Sequence, residues 1–438
     1  MKNHQFKQYA LQPTVNEAID KLGFAKPTPI QEKVIPAVLR GESVIGQSHT
    51  GSGKTHSYLI PLFSKLKEGE QNAQFVVTAP TRELAIQIYE EARHFIKLAG
   101  KEHEWHTKLF IGGTDKKRSI EKLKTQPQIV IGTPGRILDL MEEQALDLYP
   151  AASFVVDEAD LMLDLGFIKE VDQILSRMRQ DVQLLVFSAT IPERLQPFLK
   201  KYLENPKHFE IGGHLSPETM EHRLIPMRHR SEAEMIMKIA GVIQPYMAII
   251  FVNGKDAANA LAAELTDKGL QVGLLHGGLT PRERKRVLRD IQELRFQYLV
   301  ATDLAARGID IKGVSHVINA QLPKEEPFYV HRVGRTARAG LEGTAISLYH
   351  DHDLELIQKL DKKGLAFTTY DIAGGEWKEL KAWNERVTRK KTESDNESQA
   401  WKQVRKPKKV KPGYKRKMKY QKDKIKKKLD RKDRFKRK

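Results

Sequence analysis

The chain of 438 residues contains no cysteine, which excludes disulfides and thiolate metal sites and fits a reducing cytosol. No run approaches the roughly 18 apolar residues of a membrane span. Met1-Lys2-Asn3-His4-Gln5-Phe6 lacks the apolar core of a signal peptide. These absences predict a soluble, cytoplasmic protein with no membrane partner. The body also has almost no net charge. The chain carries +19, but residues 401–438 hold 21 Lys and Arg against Asp423, Asp430 and Asp433, a net of +18, which leaves +1 for residues 1–400. Such a polycation cannot bury enough apolar surface to fold alone, so the tail is expected to be disordered. A solvated tail, a targeting signal and an attraction to acidic membrane are alternatives, though no amphipathic apolar face supports the last. Trp401, Tyr414, Tyr420 and Phe435 set stacking surfaces among the charges, which favours nucleic acid.

What is present starts with Ser153-Phe154-Val155-Val156-Asp157-Glu158-Ala159-Asp160, an apolar run ending in three carboxylates. The run reads as a buried strand, which puts the acids at its carboxyl end, where parallel α/β sheets bind ligands. An aspartate there can hold Mg²⁺ through water, and the next glutamate can orient and deprotonate an attacking water. Alone, the segment fits equally well a strand leading into an acidic turn.

Its company decides between the two. Upstream, Glu42 to Gln47 leads into Ser48-His49-Thr50-Gly51-Ser52-Gly53-Lys54-Thr55, followed by a helix-like apolar pattern from Tyr58 to Leu66. Strand, Gly-rich turn and helix make a phosphate cradle. Gly51 and Gly53 let backbone N–H groups close on phosphate oxygens, Lys54 reaches the β and γ phosphates, and the Thr55 hydroxyl ligates Mg²⁺. Ser48 stands where the GxxxxGK[ST] pattern opens with glycine; it is small and the later glycines are intact. The two motifs together predict a nucleoside triphosphatase.

At this length two domains plus extras are expected. Phe75–Thr78, Gln128–Ile131, Phe154–Val156 and Leu184–Phe187 read as strands, each ending in polar or small residues. The rhythm repeats at Met247–Val252, Val272–Leu275, Tyr298–Ala301, His316–Asn319 and Thr344–Leu348, without a second P-loop lysine or acidic cluster. Between the halves, Asn205 to Met227 carries Pro206, Gly212, Gly213, Pro217 and Pro226 and reads as a linker region. Trp377, Leu380, Trp383 and Val387 keep helical spacing, which predicts a short helix packed on the second domain, with 392–398 a flexible join to the tail.

These residues, in this order from about Phe6 to about Leu348, resemble the DEAD-box RNA helicases. The resemblance implies two tandem RecA-like α/β parallel-sheet domains with a basic, disordered tail. Its parts are a Q-motif region over 1–31, a first domain over 32–212, a linker over 213–221, a second domain over 222–375, a short helix and linker over 376–400, and an RNA-binding tail over 401–438. Phe6 and Gly23 to Gln31 look like the Q motif, which implies that Gln31 pairs with the adenine edge of ATP while Phe24 or Phe6 packs on its ring. Ser48, His49, Thr50, Gly51, Ser52, Gly53, Lys54 and Thr55 then hold the ATP phosphates, with Mg²⁺ on Thr55 and, partly through water, on Asp157. Pro80, Thr81 and Arg82, Gly112 and Gly113, and Thr133, Pro134 and Arg136 resemble the first domain's RNA contacts, for which small residues and Thr or Arg at strand ends suit close approach to a backbone. Phe251, Gly277 and Thr302 match positions on the RNA side of the second domain.

By the same resemblance Gly308 and Asp310 lie on the nucleotide, Arg335 and Arg338 reach the γ-phosphate from the second domain, and Glu158 is the general base. Asp160, Ser188, Thr190 and His331 would couple hydrolysis to strand separation. Three departures from the family pattern stand out: Ser48 for alanine, Ala337 for glycine, and Pro281 for a glutamine, with Arg284 retained. The implied activity is ATP-dependent local unwinding of short RNA duplexes by RNA-driven closure of a monomer. The length and tail resemble bacterial, bacillus-type cold-shock members, which implies cold adaptation, ribosome biogenesis or RNA decay as the setting, with ribosomal particles or decay proteins as partners. Two rival classes are an RNA-binding protein whose ATPase has decayed and a different P-loop machine such as a DNA helicase. The intact Lys54, Asp157, Glu158, Arg335 and Arg338 oppose the first, and the Gln31 region opposes the second.

Overall fold

Short β-branched runs flanked by helices build two parallel sheets in a computed structural model. The described residues are 5–384 without 49–50, 114–119, 121–122, 124, 205, 212–218, 307–308, 310, 312 and 338–341, together with 404, 416, 418–425 and 427–428. The first sheet contains β1 (Val44–Ser48), β2 (Phe75–Thr78), β3 (Thr107–Phe110), β4 (Ile129–Gly132), β5 (Ser153–Val156), β6 (Gln183–Ser188) and β7 (Lys207–Ile211). Among the described residues their order is β3-β4-β2-β5-β6-β1-β7, all parallel. Helices cover both faces, so β2, β4, β5 and β6 are buried along their whole length, as a parallel sheet requires.

The second sheet contains β8 (Met220–Pro226), β9 (Met247–Val252), β10 (Val272–Leu275), β11 (Tyr298–Thr302), β12 (Val314–Asn319), β13 (Gly343–Tyr349), β14 (Phe367–Ala373) and β15 (Glu376–Glu379). Its order is β10-β11-β9-β12-β13-β8-β14-β15, parallel except for the antiparallel β14–β15 pair. The fold expected from the resemblance is therefore present, with all nine expected strands found to within two residues of their bounds.

Two expectations fail. The region Asn205–Met227 is not simply a linker, because β7 pairs with β1 and β8 pairs with β13. Its prolines and glycines masked two strands, and β8 starts at Met220, inside the expected 213–221 linker. Glu376–Glu379 is a strand where a helix is expected, and Val387 lies outside the described residues. Gly374 and Gly375 both take positive φ, 65° and 78°, the two-residue turn that reverses a chain into an antiparallel strand. That hairpin closure overrides the helical spacing, although Trp377 does pack on the second domain, against Tyr370 at 5.7 Å and beneath the Arg223 guanidinium at 4.6 Å.

Residues 381–438 form a separate unit. Among its described residues, 418–425 are helical where disorder is expected, a stretch with Lys419, Lys422 and Lys424, and lysine propagates a helix readily. The rest of the tail, including Trp401, Tyr414 and Phe435, lies outside the described residues. No described helix is long and apolar enough to cross a membrane.

Candidate active site

Strand order decides which loops meet. In the first sheet β5, β6 and β1 are neighbours, so the acidic cluster, Ser188 and the P-loop emerge side by side at the carboxyl ends. On the other half of the same edge, β2, β4 and β3 bring out Thr81, Thr133 and Gly112. One sheet edge thus separates the expected nucleotide residues from the expected RNA residues.

The P-loop is held from within. The Ser48 hydroxyl hydrogen-bonds Ser52 at 2.8 Å, so serine in place of alanine adds a tie across the loop. Lys54 Nζ donates to the Ser48 carbonyl at 2.8 Å and lies 3.7 Å from Glu158 Oε1, with both side chains largely buried. Gly53 has φ 92°, and a Cβ there would stand 2.7 Å from Gln31 Nε2 and 2.9 Å from Thr28 Oγ1, so only glycine lets the Q-motif region close on the loop. Gln31 fills the junction: its Oε1 accepts from Thr28 N at 2.9 Å and its Nε2 donates to the Gly53 carbonyl at 3.1 Å. Its amide is therefore engaged inside the protein, linking the cap of the helix Pro29–Leu39 to the phosphate loop.

Phe6 departs from its expected role. It is fully buried in the first-domain core, stacked on Phe24 at 6.4 Å, so it supports Phe24 and cannot itself lie on a base. Phe24 is half-buried and meets the His56 ring edge-on at 5.0 Å. Burial lowers the His56 pKa to about 4, so this ring is neutral at pH 7.

Asp157 is buried at the end of β5, and burial with the Glu158 charge pushes its pKa up to about 6 against the opposing pull of Lys54. Its Oδ2 accepts from Tyr58 Oη at 2.9 Å and its Oδ1 accepts from Glu158 N at 2.9 Å. A buried carboxylate at a strand end, together with the P-loop threonine hydroxyl, offers oxygen donors that suit a hard divalent cation such as Mg²⁺. Glu158 has φ 51° and sits at the start of the helix Ala159–Asp164, a left-handed conformation that costs a non-glycine residue roughly 1–3 kcal/mol. That turn leaves Glu158 partly exposed between the buried Asp157 and Asp160.

The four residues expected to couple the domains are brought together. Asp160 Oδ2 accepts from Thr190 N at 3.0 Å, from Thr190 Oγ1 at 2.8 Å and from His331 Nε2 at 3.0 Å, while Asp160 N donates to Ser188 Oγ at 3.1 Å. His331 belongs to the helix Glu326–Val333 of the second domain, so this bond joins the two sheets. Glu158, Asp160 and His331 lie within one cluster of ligand atoms. A second bond across the domains runs from Arg284 Nε to Glu83 Oε1. Arg284 also donates to the Ala305 carbonyl at 2.9 Å. Pro281 occupies the first position of the helix Pro281–Gln292, where a missing N–H costs nothing.

Arg335 is buried and donates to the Ile309 carbonyl at 2.9 Å. Ala337 takes φ 53°, the conformation that glycine would adopt freely, so this departure from the family pattern is strained. His49, Thr50, Gly308, Asp310 and Arg338 lie outside the described residues.

Among the expected RNA residues, Thr81 caps the helix Arg82–Leu98 and accepts from Leu84 N at 3.2 Å. Arg82 is exposed and lies against Gly112 and Gly113, and a methyl group on Gly113 would collide with its guanidinium. Thr133, Pro134 and Arg136 open the helix Pro134–Glu142. Gly277 and Thr302 follow or end the neighbouring strands β10 and β11, with Gly277 exposed. Phe251 is a correction: β9 is a central strand, and its ring is buried under the Arg332 guanidinium at 5.2 Å, so it offers no surface to RNA. Sequence reasoning missed Arg332, which gathers Asp303, Asn319, Gln321 and Asn253 around one buried guanidinium. It also missed Tyr58 and Glu83; only partners distant in sequence give these residues meaning.

The family described as DEAD/DEAH box helicase matches residues 28–198, and the helicase conserved C-terminal domain matches residues 231–340. The chain is 54% identical over 441 residues to the DEAD-box ATP-dependent RNA helicase CshB of Bacillus subtilis (strain 168), covering 100% of both chains. It is 46% identical to the CshB of Listeria monocytogenes, covering 99% of this chain and 100% of that one. Among solved structures it is similar to S. cerevisiae Dbp5 bound to RNA and ADP BeF3, with a TM-score of 0.75, 30% identity, and 84% of this chain and 95% of that chain covered.

Proposed function

The chain belongs to the DEAD-box ATP-dependent RNA helicases, with their ATPase activity, and from that premise we propose which residues do the work and how. The single observation that carries the reading is the bond between His331 of the second domain and Asp160, two residues from the Glu158 base. It makes the state of the acidic cluster depend on whether the domains meet.

Lys54 and the P-loop backbone bind the ATP phosphates, and Phe24 packs on the adenine. Thr55 and Asp157 hold Mg²⁺, which when bound neutralises phosphate charge and polarises the bond that breaks. Glu158 orients a water and takes its proton, with Lys54 Nζ 3.7 Å from its Oε1. Arg335 and Arg338 supply cations from the second domain, and arginines in this position raise phosphoryl-transfer rates by roughly 10³–10⁵.

Arg82, Gly112, Gly113, Thr133 and Arg136 on one sheet, with Gly277 and Thr302 on the other, hold an RNA strand across both domains. Support comes from their positions at strand ends on the sheet edges and from Dbp5 bound to RNA, to which this chain is similar. RNA binding draws the domains together, the Asp160–His331 and Glu83–Arg284 bonds form, and closure bends the strand so that a short duplex opens locally. Loss of phosphate reverses these steps. The cellular setting we propose is the opening of structured RNA in the cold, during ribosome assembly or RNA decay; RNA crosslinked in cold-shifted cells and sequenced would identify it.

The test is Glu158→Gln, assayed for RNA-stimulated phosphate release and for ATP and RNA binding. The expected variant binds both and does not turn over. Full turnover would remove Glu158 from the role of base.

A further inference from the structure

Tyr58 lies in the helix Lys54–Ser64, one turn beyond the P-loop lysine, and is fully buried. Its ring packs on Phe187 at 5.0 Å, a contact that phenylalanine would make as well. The hydroxyl has a separate partner. It donates to Asp157 Oδ2 at 2.9 Å.

A phenol has one proton, and a carboxylate can only accept. The Tyr58 proton therefore goes to Asp157. On the other side, Asp157 Oδ1 is held by the backbone N–H of Glu158 at 2.9 Å, so both carboxylate oxygens are fixed and the plane of the group is set. One buried hydroxyl thus orients a carboxylate to which the metal is assigned.

We propose that Tyr58 is a positioning residue for the divalent metal, acting by holding Asp157 in the geometry that receives it. The proposal rests on the reading of Thr55 and Asp157 as the metal's residues. Partners that orient metal ligands from behind typically contribute 10–100-fold in metal affinity when removed.

The test compares full-length wild type, Tyr58→Phe and Asp157→Asn, with Mn²⁺ as the probe, read by its EPR signal in the presence of ADP. ADP affinity is measured separately in EDTA. Tyr58→Phe is expected to bind Mn²⁺ roughly 10–100-fold more weakly, with its metal-free ADP affinity unchanged. Unchanged Mn²⁺ affinity in Tyr58→Phe, with weakened affinity in Asp157→Asn, overturns the role of Tyr58 alone. Unchanged affinity in both variants overturns the metal-site reading as well. Equal loss of Mn²⁺ and metal-free ADP binding in Tyr58→Phe makes the residue a general scaffold and also overturns the proposal.

Discussion

Removing the His331 imidazole should uncouple RNA binding from hydrolysis. His331 Nε2 and Asp160 Oδ2 are 3.0 Å apart, and their side chains are only 2% and 4% exposed. The carboxylate accepts, so Nε2 carries the proton, and Nδ1 is left buried without a partner. A hydrogen bond to a charged group contributes about 1.5–3 kcal/mol. In His331→Ala, Asp160 keeps its donors from Thr190 and from Leu161 N, so the low end applies, about 1.5–2 kcal/mol. The bond joins the two domains, so its loss falls on closure and not on the folding of either domain. At 1.4 kcal/mol per factor of ten, closure weakens by roughly 10–30-fold.

The assay is RNA-stimulated phosphate release, titrated with a short single strand. The ratio of turnover number to half-saturating RNA should fall by that factor, while ATP affinity without RNA stays the same. Asp160→Asn gives a less direct result, because it also disturbs the tie to Thr190. The double variant should lose less than the sum of the two single losses. Unchanged RNA stimulation in His331→Ala would refute the argument, because a buried interdomain bond would then contribute nothing to closure.

Three further outcomes are expected. Ala337→Gly should relieve the left-handed strain at φ 53° and stabilise the second domain by about 1 kcal/mol, measured by urea unfolding, whereas Gly343→Ala should destabilise it, because a Cβ there meets Ala337 N at 2.7 Å. Acid should unfold the protein partly through His56 and His222, whose pKa values burial lowers from 6.5 to about 4. The unfolded chain binds these protons first, so their stability is complete above about pH 6.5 and is lost as pH falls towards 4. The loss reaches up to about 3 kcal/mol for each, read from melting temperature against pH in the wild type and in His222→Gln. Removing residues 401–438 should raise the RNA concentration needed for stimulation and flatten its dependence on salt, since fewer counterions are released. An unchanged salt slope would assign the tail to another partner.

The chemistry of this protein is written locally. A P-loop needs its glycines, lysine and threonine in one short segment, and Asp157 and Glu158 need only to follow a buried strand. Such features are read without knowing what lies across the cleft. The nine strands were legible for the same reason: a strand buried on both faces is an apolar run with polar ends.

Tertiary structure decided the rest. The turn at Gly374–Gly375 made a strand of residues spaced for a helix, and pairing with β1 and β13 made strands of a region that reads as a linker. Phe6 and Phe251 are aromatic residues in the expected places, but burial removed both from contact with ligand. The Asp160–His331 bond spans 171 positions, and the Tyr58–Asp157 bond spans 99. A sequence lists donors and acceptors, but which of them meet is set by strand order and by the closing of one sheet on the other, because a hydrogen bond forms only over about 3 Å of space.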